Sequence, residues 1–190
     1  MEIYIVLTDT KTLFTKVISK FTNHPLNHAS ISFDKKLIDV YSFGRKEPNN
    51  PFIGGFVKEN MQNKLFKRSY CKVYRCKVTP FQYKLMQSYI LRIEKEQKNF
   101  KYNFRGLFGV ILNKEFEQKN AFFCSEFVAK VLNVGGIPII KKSDSLMTPY
   151  DISCSTDLHL FYQGPLIEYP FYSQTDHVPS SDFTPISQSI

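Results

Sequence analysis

Cys124 stands where an apolar stretch turns into a helical pattern of apolar residues. A thiol in the first turn of a helix lies beside unpaired backbone N–H groups and the positive end of the helix dipole, and both favour its thiolate. A catalytic thiolate needs a histidine within hydrogen-bond reach and a third group that orients the imidazole. The position therefore indicates a nucleophile whose partners come from elsewhere in the chain.

His28 is the strongest candidate for the imidazole, because it opens an alternating polar and apolar stretch that predicts a strand. A histidine on a strand that packs over a helix N-terminus meets the thiolate, and the backbone N–H of Cys124 can then hold an oxyanion. The other histidines are weaker candidates. His24 sits beside a proline in a predicted loop, and His159 and His177 come late in the chain.

Asp39 is a candidate for the group that orients His28. A hairpin with a tight turn pairs Ser30 with Asp39 and His28 with Tyr41, which places His28 and Asp39 on one face of the sheet as diagonal neighbours. A turn longer by one residue breaks that match, so Tyr41, Ser42 or a backbone carbonyl competes for the role. The alternative for Asp39 is an ordinary solvated strand residue.

The other cysteines have the pattern of small structural side chains. Cys71 and Cys76 are five apart in a strand-like run, so they point to opposite faces, and no CxxC spacing occurs in the chain. Cys154 has no partner pattern either. The sequence therefore calls for no disulfide framework, no metal and no organic cofactor.

Length and composition predict one domain, since 43% of the 190 residues are apolar and 15% aromatic. We expect it to span residues 1–172, with a flexible tail at 173–190. The net charge of +8 is spread along the chain, which favours a soluble surface over nucleic-acid binding. The first residues resemble neither a signal peptide nor a membrane span, so we expect a cytoplasmic protein.

The hydrophobic pattern predicts a mixture of strands and helices that would position these side chains. Residues 44–55, rich in turn formers and glycine, are expected to form a long irregular loop at a pocket mouth, and residues 100–112 an aromatic, glycine-punctuated link. Strands are expected at residues 3–7, 28–33, 37–43, 70–78 and 158–162, and helices at 11–21, 80–98, 124–133 and 147–152.

Four segments, in their order and spacing, resemble the successive signatures of the permuted papain-like amidases. They are Asn27-His28-Ala29-Ser30-Ile31, Tyr102-Asn103-Phe104, Phe123-Cys124-Ser125-Glu126-Phe127-Val128 and Thr148-Pro149-Tyr150-Asp151-Ile152. This family is the circularly permuted branch of the NlpC-type cysteine peptidase superfamily, in which the histidine precedes the cysteine. The resemblance spans roughly residues 3–164.

The resemblance implies a circularly permuted papain-like α+β fold, in which an antiparallel sheet packs on the helix that carries the cysteine. It implies Cys124 as nucleophile and His28 as base. In the family a polar residue on the strand after the histidine, often Glu, orients the ring, and that position falls near Asp39 here.

The predicted function is a cysteine-dependent amidase or peptidase that cleaves a small or peptide-like acyl substrate through a thioacyl intermediate. A lipid acyl hydrolase or acyltransferase of the lecithin:retinol type is the alternative, mildly favoured by the aromatic count and the basic surface. A cell-wall fragment is a further candidate partner, although the expected lack of an export signal argues against it. A binding domain that keeps the fold without turnover is the third hypothesis.

Overall fold

Six strands form one antiparallel sheet in the computed structural model, which describes residues 1–10, 24–47, 50–137 and 139–172. Two further short strands, β6 (Lys101–Tyr102) and β7 (Ala121–Phe122), pair in parallel beside it. The large sheet consists of β1 (Glu2–Thr8), β2 (His28–Ser32), β3 (Val40–Glu47), β4 (Asn50–Glu59), β5 (Tyr70–Lys77) and β8 (His159–Pro165), in the spatial order β4-β3-β2-β1-β5-β8.

The helices follow capping signals in the sequence. Thr79 caps the longest helix, because its hydroxyl accepts a hydrogen bond from the Gln82 backbone N–H at 3.2 Å while the Gln82 side chain accepts from the Thr79 N–H at 3.0 Å. Within the described residues, no helix is both long and apolar enough to cross a bilayer. The helices are α1 (Lys64–Lys67), α2 (Pro80–Lys95), α3 (Phe104–Leu112), α4 (Cys124–Val134) and α5 (Pro149–Ser153).

Each face of the sheet covers its own apolar core, because side chains alternate between the two faces along every strand. On one face Ile31 and Phe43 pack with Phe127 of α4, and the rings of Phe43 and Phe127 lie 5.1 Å apart. On the other face Val40 packs with Phe66 of α1. Burial of a large apolar side chain stabilises the fold by about 1.5–3 kcal/mol, so the first core holds α4 firmly across β2 and β3.

Most predicted elements are confirmed, and the chain is an α+β protein with an antiparallel sheet. The predicted strands at residues 3–7, 70–78 and 158–162 correspond to β1, β5 and β8, and the hairpin corresponds to β2 and β3. The cysteine helix ends at the glycine pair, where Gly136 adopts the left-handed conformation with φ 67°. The helix predicted at residues 11–21 and the tail at 173–190 lie outside the described residues.

The loop predicted at residues 44–55 is wrong. β3 continues to Glu47 and β4 begins at Asn50, so most of this segment is a ladder in which Gly44 pairs with Gly55. The glycines of β4 do not form a turn. They allow the segment around β6 to approach the strand closely. A Cβ on Gly54 would lie 2.8 Å from the Tyr102 Cβ, and one on Gly55 would lie 3.1 Å from the Phe100 carbonyl oxygen.

The link predicted at residues 100–112 is also wrong, because it contains β6 and the helix α3. Asn103 caps α3 by accepting a hydrogen bond from the Gly106 N–H at 2.8 Å. Gly106 and Gly109 lie on the packed side of the helix, where a Cβ would collide with the Asn103 side chain or the Lys114 carbonyl oxygen. The glycines that suggested a link are therefore packing positions within a helix.

Candidate active site

Cys124 and His28 meet where the first turn of α4 lies against the first residue of β2. Cys124 begins α4 and its residue is only 5% exposed. The His28 side chain lies close enough to the thiol to lower its pKa. Because the core fixes α4 across β2, packing brings these two residues together despite their distance along the chain. The structure therefore joins two of the three residues that the sequence proposed for the site.

Glu59, the last residue of β4, supplies a carboxylate to His28. Its Oε1 lies 2.6 Å from His28 Nε2, and its Oε2 accepts a hydrogen bond from Ser30 Oγ at 2.5 Å. With Nε2 engaged by Glu59, Nδ1 is the ring nitrogen that remains for the Cys124 thiol. Sulfur, imidazole and carboxylate thus form one buried, connected series, which is the order that a cysteine nucleophile with an oriented base requires.

The electrostatics of this series favour a thiolate facing an imidazolium. Burial alone would raise the pKa of the Cys124 thiol, but the hydrogen bond and positive charge of His28 and the backbone N–H groups of Ala29 and Ser125 lower that pKa below its usual value. Burial alone would lower the pKa of His28, but the Glu59 carboxylate and Cys124 raise it well above its usual value. Each group therefore stabilises the charged form of the other.

Asp39 does not reach His28, and the predicted register is wrong. The ladder pairs Ile31 with Tyr41 and Ser32 with Val40, three residues away from the expected pairing. Side chains alternate between the two faces of a sheet, so a register shift by an odd number of residues moves each one to the other face. Asp39 therefore lies on the sheet face opposite to His28. There the Asp39 carboxylate contacts Lys58 Nζ at 2.5 Å, with about half of each side chain exposed.

The other groups that competed with Asp39 are occupied elsewhere. Tyr41 packs in the core on the α4 side of the sheet, and the Ser42 hydroxyl donates to the Ala29 carbonyl oxygen at 2.8 Å. The sequence pattern did not indicate Glu59, because Gly54 and Gly55 made the strand that ends in it resemble a loop. The family pattern of a glutamate on a following strand was the one signal that pointed to such a residue.

A small cleft that opens to solvent is lined in part by Cys124. It lies between α3, the start of α4 and the start of α5, and Asn27 and Ser125 also line it. A ligand in this cleft would therefore contact Cys124 and a largely apolar wall at the same time. The apolar part of the wall consists of Leu26, Leu107, Val110, Phe123, Met147 and Pro149.

Of the remaining histidines, the two that the structure describes have other partners than the thiol. His24 lines the cleft but stacks on the ring of Tyr150, with centroids 3.7 Å apart. His159 is exposed at the start of β8, where it pairs with Arg75 of β5. His177 lies outside the described residues.

Glu126 connects the start of α4 to α3. Its Oε2 accepts hydrogen bonds from the Phe123 backbone N–H at 3.2 Å and from Asn103 Nδ2 at 3.3 Å. Burial raises the pKa of Glu126 to about 7, although these two hydrogen bonds act against the increase. Asn103 also caps α3, so one buried amide and one carboxyl connect two walls of the cleft.

Within the described ranges, no cluster of three or more His, Cys, Asp or Glu residues has an arrangement that could hold a metal ion.

No protein-family model matches this chain, and no curated protein matches it. The functional argument therefore depends on the geometry of Cys124, His28 and Glu59 and on the cleft above them.

Proposed function

We propose that this protein is a cysteine hydrolase of the amidase or peptidase type, with a circularly permuted papain-like fold and a place among the permuted papain-like amidases. The observation that carries the proposal is the buried series of Cys124, His28 and Glu59 at an open cleft. The order of the chain also agrees, since the histidine strand precedes the cysteine helix. A small or peptide-like acyl donor is the proposed substrate.

In the proposed first step, the Cys124 thiolate attacks the substrate carbonyl carbon while the imidazolium of His28 faces the leaving group. The C–N bond breaks, the His28 proton passes to the leaving amine, and a thioester with Cys124 remains. Glu59 keeps the imidazole oriented throughout. The backbone N–H of Cys124, in the first turn of α4, is a donor for the oxyanion of the tetrahedral intermediate.

In the second step, water attacks the thioester carbonyl while His28, now neutral, accepts a proton from that water. The C–S bond breaks, the carboxylic acid leaves, and the thiolate and imidazolium return. The residues that line the site are sufficient for each proton transfer. The reaction consumes one water and needs no oxidant or reductant.

An activity-based acyl probe tests this proposal. Wild type should form a covalent adduct that peptide mass spectrometry assigns to Cys124, and Cys124→Ala should form none. Cys71→Ala is the matched control, because Cys71 is fully buried and burial raises its pKa to about 12. Equal labelling of wild type and Cys124→Ala would reject the nucleophile and leave a non-catalytic binding domain as the better interpretation.

A lipid acyl hydrolase or acyltransferase is the second candidate, because the cleft wall is mainly apolar. The helix α3, which supplies Leu107 and Val110 to that wall, also exposes 55% of Phe108 and 63% of Leu112. An apolar cleft wall, with further exposed apolar side chains on the helix that supplies it, favours a long acyl chain over a polar peptide.

Acyl esters of increasing chain length separate the two candidates. A lipid enzyme should show kcat/KM rising with chain length, and Val110→Phe should remove that rise by filling the cleft. Ile111→Phe, which changes the neighbouring position of α3 outside the cleft lining, is the control and should leave the rise intact. Rates that stay flat or fall with chain length would contradict the lipid candidate.

A further inference from the structure

Ser30 lies two residues after His28 on β2, so the side chains of both residues point to the same face of the sheet. Ser30 is fully buried. Its hydroxyl donates to Glu59 Oε2 at 2.5 Å, while the other carboxylate oxygen contacts His28 Nε2 at 2.6 Å. Each oxygen of the Glu59 carboxylate therefore has its own donor, and both donors come from one strand.

The Glu59 side chain reaches these donors from two strands away, across β3. Gly44 on β3 lies beside the path of that side chain. A Cβ on Gly44 would lie 3.8 Å from both Glu59 Oε1 and His28 Cε1, so a larger side chain at that position would compete for the same volume. Glu59 is buried as well, and a buried carboxylate depends on protein donors in place of water.

We propose that Ser30 is a positioning residue of this site, whose hydroxyl fixes the Glu59 carboxylate so that Oε1 stays on His28. This inference rests on the proposed function, because it assigns a role within the same catalytic series. A carboxylate held at one oxygen only is free to rotate about its last bond. A donor at Oε2 removes that freedom and stabilises the anion, which in turn stabilises the imidazolium.

The surroundings of Glu59 leave Ser30 and His28 as the donors that the structure shows on its carboxylate. The adjacent Lys58 points to the opposite face of the sheet, where its ammonium contacts Asp39. The ring of Phe66 packs near His28 with centroids 6.1 Å apart and carries no charge. Loss of the Ser30 hydroxyl therefore leaves Oε2 as a buried anionic acceptor that has lost its donor.

The test compares Ser30→Ala with Ser32→Ala. Ser32 is the matched control, because it is fully buried on the same strand and face, and its hydroxyl binds the Asp34 carbonyl oxygen instead of Glu59. The measurement is the rate of Cys124 alkylation by iodoacetamide as a function of pH, with thermal unfolding of each variant alongside. In Ser30→Ala the pH at which Cys124 becomes reactive should rise by about one unit, and in Ser32→Ala it should not move.

A double-mutant cycle separates positioning from general destabilisation. In a Glu59→Gln background, Ser30→Ala should cause no further shift in the alkylation profile, because the group that Ser30 positions is already altered. If Ser30→Ala does not fold, Ser30→Cys provides the same test with a weak donor of similar size, and its profile should also shift upward. Peptide mapping separates alkylation of the new thiol from that of Cys124.

The outcomes distinguish this inference from the proposed function. A wild-type profile like that of an ordinary free thiol rejects the catalytic series itself. A wild-type profile with early reactivity, together with an unchanged profile in Ser30→Ala, rejects the role of Ser30 alone. Equal shifts in Ser30→Ala and Ser32→Ala also reject that role, because the effect would then belong to any buried serine of the strand.

Discussion

A buried thiolate is stable only where positive charge and N–H donors replace the water that it loses. Cys124 has both, since His28 contacts the sulfur and the backbone N–H groups of Ala29 and Ser125 point toward it. His28 in turn keeps its proton because Glu59 stands 2.6 Å from its other side. The three residues therefore depend on one another, and a change in one should alter the proton affinity of the next.

Glu59→Gln should reduce acylation of Cys124 by about 10- to 100-fold at neutral pH, provided that the variant folds. The amide carries no charge, so the pKa of His28 falls and less Cys124 is present as thiolate. Asp39→Asn is the control and should change the rate less than twofold by the same kinetic assay, because Asp39 contacts exposed Lys58. Equal losses in the two variants would mean that the carboxylate on the ring has been misassigned.

The sequence indicated Cys124 and His28 because their local signals are strong. A cysteine at a helix start and a histidine at a strand start are both visible in short windows. The role of Glu59 could not be predicted from the sequence. It depends on strand register and on a side chain that crosses the neighbouring strand beside Gly44. Register is set by a turn whose length short patterns do not fix, and a shift by three residues moved Asp39 to the other face.

Among the helices and strands, the start of α4 is anchored by the Glu126 carboxyl, whose raised pKa lies near neutral pH. Burial raises the pKa of Glu126 from its ordinary value of 4.5 to about 7. A carboxyl with a raised pKa in the folded state binds its proton more tightly when folded. Its contribution to stability is therefore complete below pH 4.5 and is lost as the pH rises toward 7.

Glu126→Gln should remove this pH dependence, because the amide stays neutral and its oxygen can still accept from the Phe123 N–H. Relative to wild type, the variant should gain on the order of 2 kcal/mol in unfolding free energy between pH 5 and pH 8, measured by urea unfolding. Glu115→Gln, at an exposed position, should show no such gain. The same difference from wild type at both pH values would contradict a protonated Glu126.

The glycines show where element prediction failed for a physical reason. In short windows Gly54, Gly55, Gly106 and Gly109 indicate turns or links, but each lies where another chain segment or side chain approaches too closely for a Cβ. Such contacts are tertiary, so they have no local signature. The helix α2 could be predicted nearly to its ends, since Thr79 and Pro80 begin it through local geometry alone.

In the molecule as a whole, the packing of α4 on the sheet determines where the residues of the site lie. The apolar core on one face places α4 against β2, and Ser30, Glu59 and His28 contact one another on the other face. The cleft then opens where α3 and α5 flank the start of α4. The chemistry therefore depends on intact packing between residues that are far apart in sequence.

The most direct test of this account is the pH dependence of iodoacetamide alkylation at Cys124 in the wild-type protein, followed by peptide mass spectrometry. The account predicts that Cys124 is alkylated at pH 6 much faster than an ordinary thiol, which with a pKa near 8.5 is less than about 1% thiolate there. The rate should fall only as the pH drops through the lowered pKa of Cys124. A profile for Cys124 that rises only near pH 8.5, like that of N-acetylcysteine, would contradict the thiolate–imidazolium pair.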